Sequence, residues 1–261
     1  MSQSGPLGNL GIGKGKLYFG VFADGTQTAN GQRPLGNCPG ISQSVEEETL
    51  DHFSSEEGIR QKDEQFIIEV GRMINVECDN ISRDNLALFF LGQAALTSEA
   101  GSTGNTDAFA SVVAGNRYQV GVSASNPAGA RKLANVVVTD GDVTTYVLNT
   151  DYTLDADRGA ITIIDGGSIS TGDSIEVEYD VTAHTRDTII SNDTMAEGEL
   201  RFESFNPKGP RRDQFFPRVK ITPNGEYNLI SDDWQTISLQ IEVLKKDGMA
   251  MHYVDGQPVT S

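Results

Sequence analysis

Residues 237 to 243 admit one kind of backbone. Ile237, Leu239, Ile241 and Val243 alternate with Ser238, Gln240 and Glu242. This period of two puts apolar side chains on one face of an extended strand and polar ones on the other, whereas a helix would spread them round its circumference. The stretch 64–78 carries a similar pattern, with Phe66, Ile68, Val70, Ile74 and Val76 set against Gln65, Glu69, Asn75 and Glu77. Arg72 interrupts the apolar set, and Ile67 and Met73 interrupt the polar one, which predicts a bulge near Gly71. Two long strands, each with one wet face, require a sheet that packs on one side only.

Strand signals recur along the chain. "LYFGVF" begins at Leu17, and "GELRFESF" and "QFFPRVKI" lie beyond residue 197. Between them a denser group of short runs, "NVVVT", "TTYVL", "DYTLDADRGAITII" and "DSIEVEYDVT", is broken by Gly and Asp turns. In the last run Ile175, Val177, Tyr179 and Val181 share a face, and Asp157-Arg158-Gly159 reads as a hairpin turn. That spacing predicts a small sandwich or barrel. The Ser/Gly/Thr/Ala-rich stretch from Thr97 to Asn116 reads as a linker or long loop. One short helix is expected after Ser82, a suitable N-cap, with Asp84 at the positive end of the dipole. Ile81 and Leu86 can staple its start and Gly92 can close it. The expected chain is therefore mainly β with one short helix. A flexible arm spans 1–15, a larger β domain combines 16–116 and 184–261, and an inserted Ig-like or small-barrel module spans 117–183.

Composition narrows the function. The 261 residues carry a formal net charge of −17, which argues against ordinary nucleic-acid binding, where Lys and Arg must neutralise phosphate. No apolar run approaches the ~20 residues of a membrane span, and the first residues lack the basic and apolar regions of a secretion signal. Without a secretory context, Cys38 and Cys78 are expected as free thiols. Gly8, Gly13 and Lys14 nearly match a phosphate-cradling loop, but Gly15 stands where the magnesium-binding hydroxyl belongs, and the segment runs into a strand. His52, His184 and His252 are scattered, no nucleophile elbow occurs, and Asp151, Asp155 and Asp157 lack calcium-loop spacing. No residue pattern points to catalysis, a cofactor or a metal.

The order of features resembles a known family. "GKGKLYFGVF", then "RPLGNCPGISQSVEEETLDHFSSEEGIRQKDEQFIIEV", then "ISRDNLALFFLG" is similar to the N-terminal half of the major tail tube proteins of long-tailed bacteriophages. "TTYVLNTDYTLDADRGAITI" is similar to a module found in the middle of several of them. The resemblance implies a tail-tube-type sandwich or inner-barrel domain and a virion protein assembled in the host cytoplasm. Hexameric rings would stack into a conduit for DNA, with tail terminator, tape measure and tail tip proteins as further partners. A loop reaching between rings would fall on Thr49–Lys62, making Leu50, Asp51, His52, Phe53, Glu56, Glu57, Arg60 and Lys62 ring-to-ring candidates. Glu69, Asn75 and Glu77, on the wet face of the second long strand, become candidates for the lumen wall.

The rival expectation is a β-sandwich binding module, adhesin-like or carbohydrate-binding, suggested by 117–183. A sugar site normally presents exposed aromatics. Trp234 is the single tryptophan, and Tyr146, Tyr152 and Tyr179 read as core.

Overall fold

The structure, a computed structural model, describes residues 10–55, 58–141 and 144–257. It is mainly β, with 53% strand and 3% helix. Contacts divide the chain into two units, Met1–Ala95 with Thr188–Ser261, and Leu96–Asp187.

The first unit opens with β1 (Gly15–Val21), β2 (Arg33–Pro34), β3 (Gly40–Ser54) and β4 (Gln61–Cys78), followed by helix α1 (Arg83–Phe89). The chain then passes through β5 (Gly92–Glu99) to the second unit. There lie β6 (Ser102–Phe109), β7 (Arg117–Gln119), β8 (Leu133–Thr139), β9 (Tyr152–Asp155), β10 (Ala160–Ile163) and β11 (Ile175–Val181). It returns along β12 (His184–Ser191), which pairs with β5, and finishes with β13 (Ala196–Ser204), β14 (Arg212–Pro223), β15 (Ile237–Val243) and β16 (Tyr253–Gly256).

The first unit is built on an eight-stranded sheet of order β2-β1-β13-β14-β15-β4-β3, with β16 paired to β14. The alternation at 237–243 is realised fully, since Ile237, Leu239, Ile241 and Val243 are all buried. They share one core with Leu17, Phe19, Ile74, Val76, Leu200, Val219 and Ile221. Each such aliphatic side chain withdrawn from water contributes about 1.5–3 kcal/mol. Leu17 of β1 and Ile41 of β3, from opposite ends of the strand order, line the same cavity of about 210 Å3. The sheet therefore curls over its core.

Helix α1 lays Leu88 and Phe89 on that core. Its N-cap is Ser82, whose side-chain oxygen accepts from the Asn85 amide. Its end differs from expectation: Leu91, at φ 52°, takes the left-handed turn, and Gly92 starts β5. Gly92 is needed for another reason, because a Cβ there would lie 2.4 Å from the Ile190 carbonyl oxygen.

Three further expectations are corrected. Cys38 and Cys78 form a disulfide, because Gly40 pairs with Glu77 and this register brings the two Cα atoms to 4.1 Å. The arm is docked where it is described: Ile12 bridges Lys208, and the Lys14 amide donates to Asn206 Oδ1. Residues 1–9, Gly8 of the near-match loop included, lie outside the described residues. The stretch Thr97–Asn116 is no linker, since it contains β6, which pairs with β11. The second unit accordingly starts at Leu96 and not at residue 117.

That unit is a small sandwich of two three-stranded sheets, β7-β10-β9 and β6-β11-β8. Its core holds Val120, Val138, Ile161, Ile163, Val177 and the three tyrosines Tyr146, Tyr152 and Tyr179. Asp157-Arg158-Gly159 does join β9 to β10, with Gly159 at φ 66°. Asp151, buried beside the core, accepts from the Val147 amide at 2.7 Å and the Ser168 amide at 2.8 Å. Those bonds hold its carboxyl below the usual carboxylate range. Stability from this group is thus present above its unfolded pKa and fades as pH falls through the lowered folded value.

Asp151→Ala leaves two amides without their acceptor, so the second unit should melt roughly 5–10 °C lower, with the first unit's transition unmoved. Calorimetry resolves the two transitions. Reduction of the disulfide, whose cysteines are 40 residues apart, should act on the other transition, lowering the first unit's stability by about 2–4 kcal/mol.

Candidate assembly surface

The register of β4 defines the surface. On one side it pairs with β15, from Cys78 opposite Ile237 to Met73 opposite Glu242. On the other it pairs with β3 throughout, from Glu77 opposite Gly40 to Gln61 opposite Ser54. Beyond Met73, toward Gln61, β3 is its sole strand partner among the described residues. At ~3.3 Å per residue, the β3–β4 ribbon runs on for roughly 40 Å.

Ribbon residues expected in the core are therefore exposed. Ile74 and Val76 are buried as anticipated, but Phe66 is 68% exposed and Ile68 is also open. Val70 is intermediate. The alternation is present, but among the described residues no second layer covers it. The register also shifts between Glu48 and Thr49 and between His52 and Phe53, placing extra residues Ile68 and Asp63 on β4. The bulge near Gly71 is thus found at Ile68.

The ring-to-ring candidates gather at the ribbon's distal end. Leu50, 64% exposed, pairs with Phe66. Asp51 and Lys62 form an ion pair at 2.6 Å. His52 Nδ1 meets Asp63 Oδ1 at 2.6 Å, and this hydrogen bond holds the Asp63 carboxyl below its ordinary range. The Arg60 guanidinium lies 4.6 Å over the Phe53 ring, beside Ile59, which is 74% exposed. Glu56 and Glu57 lie outside the described residues.

Glu69, Asn75 and Glu77 share the face of β4 opposite to Ile74, Val76 and Cys78. Asn75 is flanked by Ser42 and Gln240, and Glu77 by Gly40 and Ser238. Glu69 stands directly across from Glu48, a like-charged pair held side by side. Lys220 and Thr222 of β14 continue this polar face, paired with Glu242 and Gln240.

One surface escaped the sequence analysis. Between β14 and β15 a loop presents Leu229, Ile230 and Trp234, the last two 97% and 89% exposed. The signal was "NLISDDW", bulky apolar residues without periodicity between a turn and a strand. Among the described residues no group of three or more His, Cys, Asp or Glu could hold a metal ion. No helix among them is long and apolar enough to cross a membrane.

Fold and surface define a mainly β protein of two units, the larger carrying a ribbon whose apolar side chains no second layer covers among the described residues. The chain belongs to the family described as "protein of unknown function UCP028589", whose profile matches residues 10–251. A search of curated proteins finds no match.

Proposed function

We propose that the protein is a structural subunit that self-assembles into stacked hexameric rings, the tail tube of a long-tailed bacteriophage and the conduit for its DNA. The uncovered β3–β4 ribbon carries this reading. Leu50 of β3, Phe66 and Ile68 of β4 and Ile59 in the turn between them are exposed apolar side chains, and β3 is the terminal strand of the sheet order. Such side chains left in water invite uncontrolled association, so a defined protein partner is their natural cover.

The polar face adds support. Glu69, Asn75 and Glu77 sit on a face rich in Ser, Gln and Glu, in a chain of net charge −17. Lining a channel, such a face would repel phosphate, and DNA could pass without being trapped. Tyr146, Tyr152 and Tyr179 are spent on the core of the small sandwich, which weighs against a sugar site built from them.

Negative-stain microscopy of the purified protein at high concentration should reveal rings or tubes, and uniform monomers would overturn the reading. Leu50→Ser with Phe66→Ser removes exposed apolar surface, so the monomer should melt within a few degrees of the parent. Its association should weaken at least about tenfold by analytical ultracentrifugation, given ~1.4 kcal/mol per factor of ten. Glu69→Lys with Glu77→Lys moves the charge by about four units per subunit. Tubes of this variant should bind DNA at low salt and release it as salt rises, where parent tubes do not bind. Equal behaviour in filter binding would remove these residues from the lumen.

A further inference from the structure

The curl of the first unit's sheet leaves a space inside its core. β1 and β3 approach from the two ends of the strand order, yet no ladder joins them among the described residues. The cavity of about 210 Å3 lies between them. Its floor is Leu17, Ile74, Leu200 and Phe216, all buried. Its rim carries Ile41 and Gln43 of β3, both exposed, so the space communicates with water.

A void of this size is costly in a core. Interiors pack as densely as organic crystals, and wall atoms that face a void lose their dispersion partners. A cavity of about 150 Å3 lined by Leu, Ile and Phe stays dry and takes up benzene. The space here is larger, and its wall is apolar except at two points. Gln43 and Gln214 line it, and no charged side chain does so among the described residues.

Gln214 is held in place. His252 Nε2 lies 3.1 Å from Gln214 Oε1, and the imidazole stacks on the Phe216 ring with centroids 4.3 Å apart. Burial, and after it the Arg72 guanidinium, push the His252 pKa below its ordinary value. The ring is therefore neutral at pH 7 and donates through Nε2 to that oxygen, which leaves the Gln214 amide hydrogens for another acceptor. Gln43, opposite Ile74 in the β3–β4 register, adds a second amide with both donors and an acceptor.

These two amides decide what fits. In a hydrocarbon void a hydroxyl gives up its bonds to water and regains none. Beside Gln43 and Gln214 it regains them, while an ionised guest would still meet no opposite charge. We infer that the cavity binds a small neutral phenol, its ring against Leu17, Leu200 and Phe216 and its hydroxyl between Gln43 and Gln214. The site lies within one copy and does not depend on the assembly reading.

Para-cresol and toluene, which differ by one hydroxyl, test it as probes of the full chain. Ligand-observed NMR titration reads single chains and assemblies alike. Para-cresol should bind saturably, at least about fivefold more tightly than toluene. Gln43→Leu with Gln214→Leu should reverse that order. Because Gln214→Leu also takes the acceptor from His252, Gln43→Leu alone is the milder variant, and it should narrow the preference. Ile41→Trp places an indole at the exposed rim, so it should weaken both probes at least about tenfold without lowering the melting temperature. Para-cresol that fails to saturate, a parent that prefers toluene, or an Ile41→Trp chain that binds like the parent overturns the site. A preference for para-cresol unchanged in Gln43→Leu overturns the part given to that amide.

Discussion

What the first unit can do is decided by where β15 stops. Its pairing with β4 ends at Met73 opposite Glu242, while β3 follows β4 on to Gln61. Up to that point Ile74, Val76 and Cys78 enter the core, while Met73 stands on the polar face opposite Glu242. Past it both faces meet water, and the extra residue Ile68 shifts the alternation so that Leu50 and Phe66 fall on the face of Glu48 and Glu69. A two-stranded ribbon is marginal by itself, because it buries too little to offset the ordering of its chain. The disulfide sits at the other end of the same strand pair, within the sheet, tying Cys38 just before β3 to Cys78 at the end of β4. It fixes the β3–β4 register there and leaves the distal part to be stabilised by whatever covers it.

The fold was legible where period and burial coincide. Ile237 to Val243 announced both the strand and its buried face, and Ser82 with Asp84 announced the helix. Phe66 and Ile68 were misread because alternation reports that a strand has two faces, not that a second layer lies against either. β6 was hidden because "STGNTDAF" has the composition of a loop, and its strand state comes from pairing with β11, a contact remote in sequence. The disulfide was invisible for a similar reason, depending on a register set 40 residues apart. Of the surface residues, Glu69, Asn75 and Glu77 could be placed on one face from the pattern alone. Leu50 to Lys62 entered through resemblance, and Ile230 and Trp234 had no periodic signal to announce them.

Charge and shape act together on the proposed tube. A sheet with one face committed to core leaves the other face wet, and here that face is filled with Ser, Gln and Glu along β3, β4 and β15. The Glu48–Glu69 pair is informative. Placing like charges directly opposite costs stability and gains nothing in an isolated subunit. It is intelligible where the surface must remain hydrated and repel a polyanion.

The distal ribbon is poorly suited to adding a further strand along its edge. The extra residues Ile68 and Asp63 break the ladder twice, and bulges bend and twist the strand that carries them. These are the devices by which sheets discourage indiscriminate edge pairing. Contact at the tip then falls to side chains, which means apolar residues for strength and charges for placement. That end carries both signs, with Arg60 and Lys62 standing among Asp51, Asp63 and Glu64, so placement there depends on a pattern of charge and not on a single sign.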